Sequence, residues 1–345
     1  MYRIFWRLAI VVVIVGVLVY IFGFSPLVSS EYRSALAERI IPLPTLNKVD
    51  YDARLLALAH VSTTTFAMAS STLLWPVKTV YPDAGALLPF NRIVAYYGNF
   101  YSSGMGVLGE YPTNQLLAML ASTTAKWAAA DPTTPVLPAI QYISVVAQAS
   151  AGKEGKYILR MPDDQIEHAL DLVNQIHGIL ILDVQVGEST LQHELPFLQK
   201  YLQMPQVHLA IDPEFSMKYG NPPGTVIGTF DATDINYATQ YLAGLVDTYH
   251  LPPKVLIVHR FTEDMVTNAK KIAPLPEVEI VMDMDGWGSQ AKKINTYQTV
   301  IAPEPVQFTG LKLFYKNDLK PPSTGMLTTS QVLGLTPAPI YIQYQ

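Results

Sequence analysis

Cysteine is absent from the 345 residues. That excludes disulfides, thiolate zinc sites, cysteine nucleophiles and lipid attachment at an N-terminal cysteine. A basic excess is absent too. Lys and Arg number 23 against 28 Asp and Glu, for a net charge of −5, so nothing favours nucleic acid as a partner. Charge of either sign is sparse, at 15% of residues against 50% hydrophobic. No H-E-x-x-H and no calcium-loop pattern occurs, and Ser102-Ser103 lacks a G-x-S-x-G setting. No metal and no cofactor are therefore expected, and a serine hydrolase is disfavoured.

What is present begins with an apolar run. Arg3 and Arg7 precede Leu8 to Phe24, and from Ile4 to Phe24 the only charge is Arg7. That length suffices to span a bilayer. Positive charge before the run and Glu31 after it predict a cytoplasmic N-terminus with the remainder outside. Val28-Ser29-Ser30 is a poor cleavage site, so an uncleaved anchor over 1–25 is favoured over a removed signal. The expected location is membrane-anchored and extracytoplasmic. Residues 26–90 read as a spacer with one short helix, Tyr51 to Val61, flanked by Pro42, Pro44, Pro76 and Pro82.

The rest, 91–345, alternates between apolar runs and helical patterns. The strands are placed at Ile93–Tyr97, Ala139–Gln148, Ile179–Gln185, Val207–Glu214, Lys254–His259, Val278–Asp283, Val306–Tyr315 and Ile340–Tyr344. Seven helices are placed between them: Asn114–Ala130, Asp163–His177, Thr190–Gln203, Asp231–His250, Glu263–Ile272, Ser289–Val300 and Thr328–Leu335. Apolar, β-rich runs suit strands buried on both faces. Eight strands within about 250 residues predict an α/β fold, a (β/α)8 TIM-type barrel without its final helix. The competing doubly wound sheet lacks its nucleotide signature, because Gly104, Gly106 and Gly109 do not open the first helix, which starts at Asn114. With no eighth helix, Tyr51–Val61 or the stretch Thr65–Trp75 is expected to pack on the barrel, since an apolar groove is costly to expose.

Four of the runs end in functional side chains. Leu209–Ile211 leads to Asp212 and Glu214, Ile179–Leu182 to Asp183 and Gln185, Val255–Val258 to His259, and Val278–Met282 to Asp283 and Asp285. A parallel barrel delivers strand C-termini to one face, where its chemistry is sited. Glycosidic cleavage needs two carboxyls, one of them kept protonated. Glu214 is the candidate acid/base, with Asp212, Asp183 or Asp285 as nucleophile or second base. His259 is a candidate general base. For substrate contact the candidates are Tyr97, Gln185, Tyr344 and, as a ring platform, Trp287. In the competing assignment Asp212 caps a turn and Glu214 pairs with Arg260 or Lys312.

Several short stretches carry a resemblance. They are Tyr96-Tyr97-Gly98 with Met105-Gly106 and Gly109-Glu110, Ile211-Asp-Pro-Glu214, Val258-His259-Arg-Phe261, Met284-Asp-Gly286 and Tyr344-Gln345. The chain over roughly 82–345 resembles a group of bacterial extracytoplasmic proteins, membrane-anchored or lipoprotein-type, with a glycoside-hydrolase-like barrel. The resemblance implies a cell-envelope setting and a polysaccharide or other glycan as ligand. It brings no assigned reaction. Lack of cysteine departs from the lipid-attached members. Three functions follow as expectations: a glycoside hydrolase, a non-catalytic carbohydrate-binding or envelope-organising barrel, and a metal-dependent phosphodiesterase using Asp212, Glu214, His259 and Asp285.

Overall fold

The computed structural model describes residues 43–69 and 72–345. The apolar run Leu8–Phe24 lies outside the described residues. Among the described residues no helix is long and apolar enough to cross a membrane.

Eight parallel strands close on themselves. They are β1 (Arg92–Gly98), β2 (Val136–Ala147), β3 (Ile179–Val184), β4 (Val207–Ile211), β5 (Lys254–Arg260), β6 (Val278–Met284), β7 (Phe308–Leu313) and β8 (Tyr341–Tyr344). Each pairs with its sequence neighbour, and β8 returns to β1 through Ile93 opposite Tyr341. Closure leaves no edge in the barrel itself. A short antiparallel strand, Ile158–Arg160, is appended outside β2. The barrel is the TIM-type architecture expected, and the chain ends just after β8.

Strand alternation sorts the side chains into two sets. The outward set includes Val94, Ile140, Leu180, Leu209, Leu256, Ile280 and Leu311, packed with Leu116, Leu120, Ile166 and Leu242 of the surrounding helices. The inward set begins apolar: Ile93, Ala95, Ala139, Ile179, Ile181, Ala210, Val255, Ile257, Val281, Phe308 and Tyr341 form one buried cluster. This cluster fills the N-terminal part of the interior. Two residues further along each strand, or four on β7, the inward column turns polar, which makes the floor of the site.

The described helices are α1 (Lys48–Leu58), α2 (Thr63–Ala69), α3 (Thr113–Ala130), α4 (Asp163–Gln175), α5 (Leu191–Leu202), α6 (Ala232–Tyr249), α7 (Gln290–Thr296) and α8 (Thr329–Leu333). Asn47 caps α1, its side chain accepting from the Asp50 N–H at 3.1 Å. Tyr51 of α1 is buried in the inner cluster, with Leu55 and Leu58 against it. The helix thus packs on the barrel by covering its N-terminal mouth. Glu279 of β6 accepts from the Leu87 and Leu88 N–H groups at 3.0 and 2.8 Å and ties the preceding segment to the same end.

One helix differs from expectation. Glu263–Ile272 is not an α-helix. It consists of two 3₁₀ turns, Glu263–Met265 and Ala269–Lys271, around Val266–Thr267, which pairs with Phe230–Asp231. The buried Arg260 guanidinium explains this. It donates to the carbonyls of Thr262, Glu263 and Val266, drawing them toward one cation instead of along a common helix axis. Asn268 then takes a left-handed conformation, φ 56°. The helix expected at Ser289–Val300 is α7 followed by a π-turn, Tyr297–Ile301.

Candidate active site

The inward polar layer comprises Tyr97, Gln141, Asp183, Asp212, His259, Asp283, Lys312 and Gln343, one from each strand or its first following residue. Asp285 and Glu214 lie just above it in sequence. The layer is a continuous hydrogen-bonded floor. His259 Nε2 lies 3.0 Å from Asp183 Oδ2, and its Nδ1 lies 3.0 Å from Asp283 Oδ2 and 3.3 Å from Asp285 Oδ2. Gln141 Nε2 donates to Asp183 Oδ2 at 2.5 Å, and the Tyr341 hydroxyl donates to Gln141 Oε1. Gln343 Nε2 donates to that hydroxyl at 3.0 Å. Lys312 Nζ lies 3.0 Å from Asp285 Oδ1 and 3.8 Å above the Tyr97 ring.

Electrostatics follow from this arrangement. Burial works against a charged His259, but Asp285, Asp183 and Asp283 outweigh it and hold the imidazole well above its ordinary pKa. These carboxylates favour the imidazolium, although Gln141 Nε2 also lies 2.8 Å from His259 Nε2. Burial raises the Asp283 carboxyl, although His259 opposes it. Burial also raises Asp212 well above the usual carboxylate range. His259 opposes that shift and Glu214 adds to it.

Glu214 stands apart. Burial, then repulsion from Asp285, push its carboxyl up to about 7, with Lys312 and His259 opposing. Among the described residues nothing donates a hydrogen bond to that carboxyl, and neither Arg260 nor Lys312 pairs with it. Arg260 is taken by Glu304, at 2.5 Å, and by loop carbonyls, and Lys312 is taken by Asp285. The turn that aims Glu214 is local. Asp212 caps the 3₁₀ turn Pro213–Phe215, with its Oδ1 accepting from the Glu214 N–H at 3.0 Å. Pro213 presets the turn's first residue. Gln185 Nε2 donates to Asp212 Oδ2 at 3.4 Å.

Above the floor opens a cleft of about 650 Å³. Glu214, Asp212, Asp285, Gln185, Tyr97 and Trp287 all line it, as do Lys312 and Phe261. Asp183 and His259 do not. Both are fully buried and form the layer beneath. Tyr344 is not in the cleft either. It points outward, where its hydroxyl accepts from Trp127 Nε1 at 3.0 Å, and its neighbour Gln345 lines the cleft instead. The period of two accounts for this, since Tyr341, Gln343 and Gln345 share the inward side.

Lys312, Gln141 and Gln343 join the site without having been singled out for it. Their signal was present: each follows an inward apolar position by an even number of residues, as Gln141 follows Ala139 and Lys312 follows Phe308. Gly310 between them has a structural duty. A Cβ there would lie 2.7 Å from Asp283 Oδ1, so only glycine leaves room for that carboxylate. The glycines of the first loop do not open an α-helix. A Cβ on Gly106 would lie 2.4 Å from the Tyr97 carbonyl, the following turn buries Val107 and Leu108, and α3 starts later, at Thr113.

No protein-family profile matches the chain, and no curated protein matches it. Among solved structures it is similar to one titled "Cellulase Cel5C_n", at 12% identity and a TM-score of 0.37, covering 64% of this chain. The chain spans 64% of the length of that structure.

Proposed function

We propose that the barrel hydrolyses glycosidic bonds in envelope or extracellular polysaccharide, with Glu214 as general acid and Asp285 as the second carboxyl. The observation that carries this reading is the unpartnered Glu214 carboxyl, raised to about 7, in one cleft with an Asp285 held between Lys312 and His259. Glycoside cleavage requires such a division: one carboxyl protonated at neutral pH, the other charged. Glu214 would give its proton to the leaving oxygen as the C–O bond breaks. Asp285 would face the positive charge that develops on the sugar, and a water would complete the hydrolysis by bonding to the anomeric carbon and giving up a proton to a carboxylate of the site. Phe261 and Trp287 offer ring faces suited to the C–H surface of a pyranose, while the Tyr97 ring is covered by Lys312. In this reading the N-terminal apolar run anchors the chain and the barrel lies outside the cytoplasm, which the run's flanking charges support.

A second reading, a glycan-binding barrel without turnover, has its own observation. Asp212 serves as a turn cap and Asp285 is engaged by two cations, which leaves Glu214 as the one free carboxyl of the three. The phosphodiesterase reading has less support. Among the described residues no three His, Asp or Glu side chains are grouped so as to hold a metal.

The test is release of reducing ends from a panel of bacterial and plant cell-wall polysaccharides by wild type and Glu214→Gln, with a melting curve for each. Turnover by the wild type alone, at matched stability, supports the hydrolase. Equal turnover by both removes Glu214 from the mechanism, and binding of a panel member without turnover by either favours the second reading.

A further inference from the structure

The turn after β6 presents Trp287 at the rim of the cleft, 48% exposed. Its backbone is pinned on both sides. Lys293 Nζ donates to the Gly286 carbonyl at 2.7 Å, and Asp318 Oδ1 accepts from the Gly288 N–H at 2.9 Å. Lys293 and Asp318 are themselves buried and paired at 3.2 Å. The two hydrogen bonds fix the turn, so the indole is held at the rim of the cleft by a braced backbone.

Two ammonium groups converge on that indole. Lys292 Nζ lies 5.2 Å and Lys320 Nζ 5.3 Å from the ring centroid. Both side chains are exposed. Among the described residues neither is in an ion pair, whereas nearby Lys293, Lys312 and Lys316 each have a carboxylate within 3.2 Å. The Lys292 stem is seated against Gly288, where a Cβ would lie 2.7 Å from its Cδ. The protein as a whole carries more acid than base, so two unpaired cations on one exposed ring stand out against the overall charge.

We infer that Trp287, Lys292 and Lys320 form a subsite for an acidic sugar, a pyranose bearing a carboxylate or a sulfate ester. This rests on the glycan reading of the cleft and names its substrate class. In the free protein the ammonium groups rest on the indole face. A pyranose would take that face with its C–H surface, and the lysines would move to its anionic substituent. They would exchange a cation–π contact for charge-assisted hydrogen bonds, which are the stronger interaction. Lys292 lines the same cleft as Glu214 and Asp285, so an acidic residue on Trp287 would belong to the same bound chain.

Calorimetric titration of the full chain carrying Glu214→Gln tests this without requiring turnover. The probes are oligogalacturonate, a sulfated carrageenan oligomer and a neutral galactan oligomer of equal length. At least one acidic oligomer is expected to bind tenfold or more tighter than the neutral one. Raising the salt should shrink that gap, and Lys292→Ala/Lys320→Ala should abolish it while leaving the weak neutral binding in place. Trp287→Ala should weaken acidic and neutral binding alike. The inference is overturned if neither acidic oligomer binds, if the neutral one binds as well, or if the preference survives loss of both lysines. Acidic preference without wild-type turnover would uphold this subsite and sink the hydrolase reading. Turnover of neutral glycans alone would do the reverse.

Discussion

His259 Nδ1 lies 3.3 Å from Asp285 Oδ2, so an imidazolium with no exposure to water supports the carboxylate that faces the cleft. The same ring is gripped from beneath by Asp183 and Asp283. Its placement makes it a positioning residue, because it lines no part of the cleft. Removing one partner of a buried ionic cluster leaves the others uncompensated, at a cost of about 3–5 kcal/mol. His259→Gln is expected to lose stability on that scale, read by urea denaturation. A loss below about 1 kcal/mol would mean that the floor is not held by this charge.

The space for Asp283 depends on the missing side chain at Gly310. A methyl group there would also lie 2.7 Å from Tyr341 Cδ1, so two packed neighbours must give way. Overpacking of this kind costs about 1–3 kcal/mol. Gly310→Ala is expected to destabilise by that amount and to lower turnover of whichever glycan the wild type cleaves, by shifting Asp283 and with it His259. Unchanged melting temperature and turnover would contradict the argument.

Asp212 contributes as a cap. Asp212→Asn keeps an oxygen for the Glu214 N–H, whereas Asp212→Ala leaves that donor without one. The alanine variant is expected to lose about 0.5–2 kcal/mol, as for other caps, and to lose activity as Glu214 drifts. The asparagine variant should lose less than the alanine variant, because its Oδ1 still accepts from the Glu214 N–H. If asparagine proves as damaging as alanine, the Asp212 charge matters more than the cap.

At the other end of the barrel, burial raises Glu279 to about 8 from an ordinary 4.5, despite two backbone N–H donors that oppose the shift. The folded state therefore binds a proton that the unfolded state releases. The stabilisation is full below about pH 4.5 and is lost as pH rises toward about 8. At 1.36 kcal/mol per pKa unit the swing is on the order of 4–5 kcal/mol. His259 and Glu214 slope the same way in part of this window, so the comparison must be with a variant. Glu279→Gln should flatten the fall in unfolding free energy between pH 5 and 8, and an unchanged slope would refute the assignment.

Much of this was legible in the sequence, and the remainder has physical reasons for being hidden. The eight runs of Val, Ile and Leu announced parallel strands, and their acidic ends announced one polar mouth. Which strand-end residues reach solvent was not visible. Asp183 and Asp285 look alike in sequence, yet one is floor and one is wall, because height in a barrel depends on inter-strand register. Tyr344 looked like a site residue by position, but side-chain parity sends it outward to Trp127. The segment after Arg260 carried helical spacing, and a guanidinium that takes up its carbonyls overrode it. The capping role of α1 depended on a tertiary contact of Tyr51 that local pattern does not encode.

Everything proposed for the cleft depends on Glu214 keeping a substantial protonated fraction at neutral pH. Labelling the glutamate side-chain carboxyls with ¹³C and following their shifts from pH 3 to pH 10 tests it most directly, with Glu214→Gln identifying the resonance. The expected Glu214 midpoint is about 7, set by burial and by Asp285. A midpoint at the ordinary value near 4.5 would show the carboxyl charged throughout the neutral range and would contradict its role as the acid.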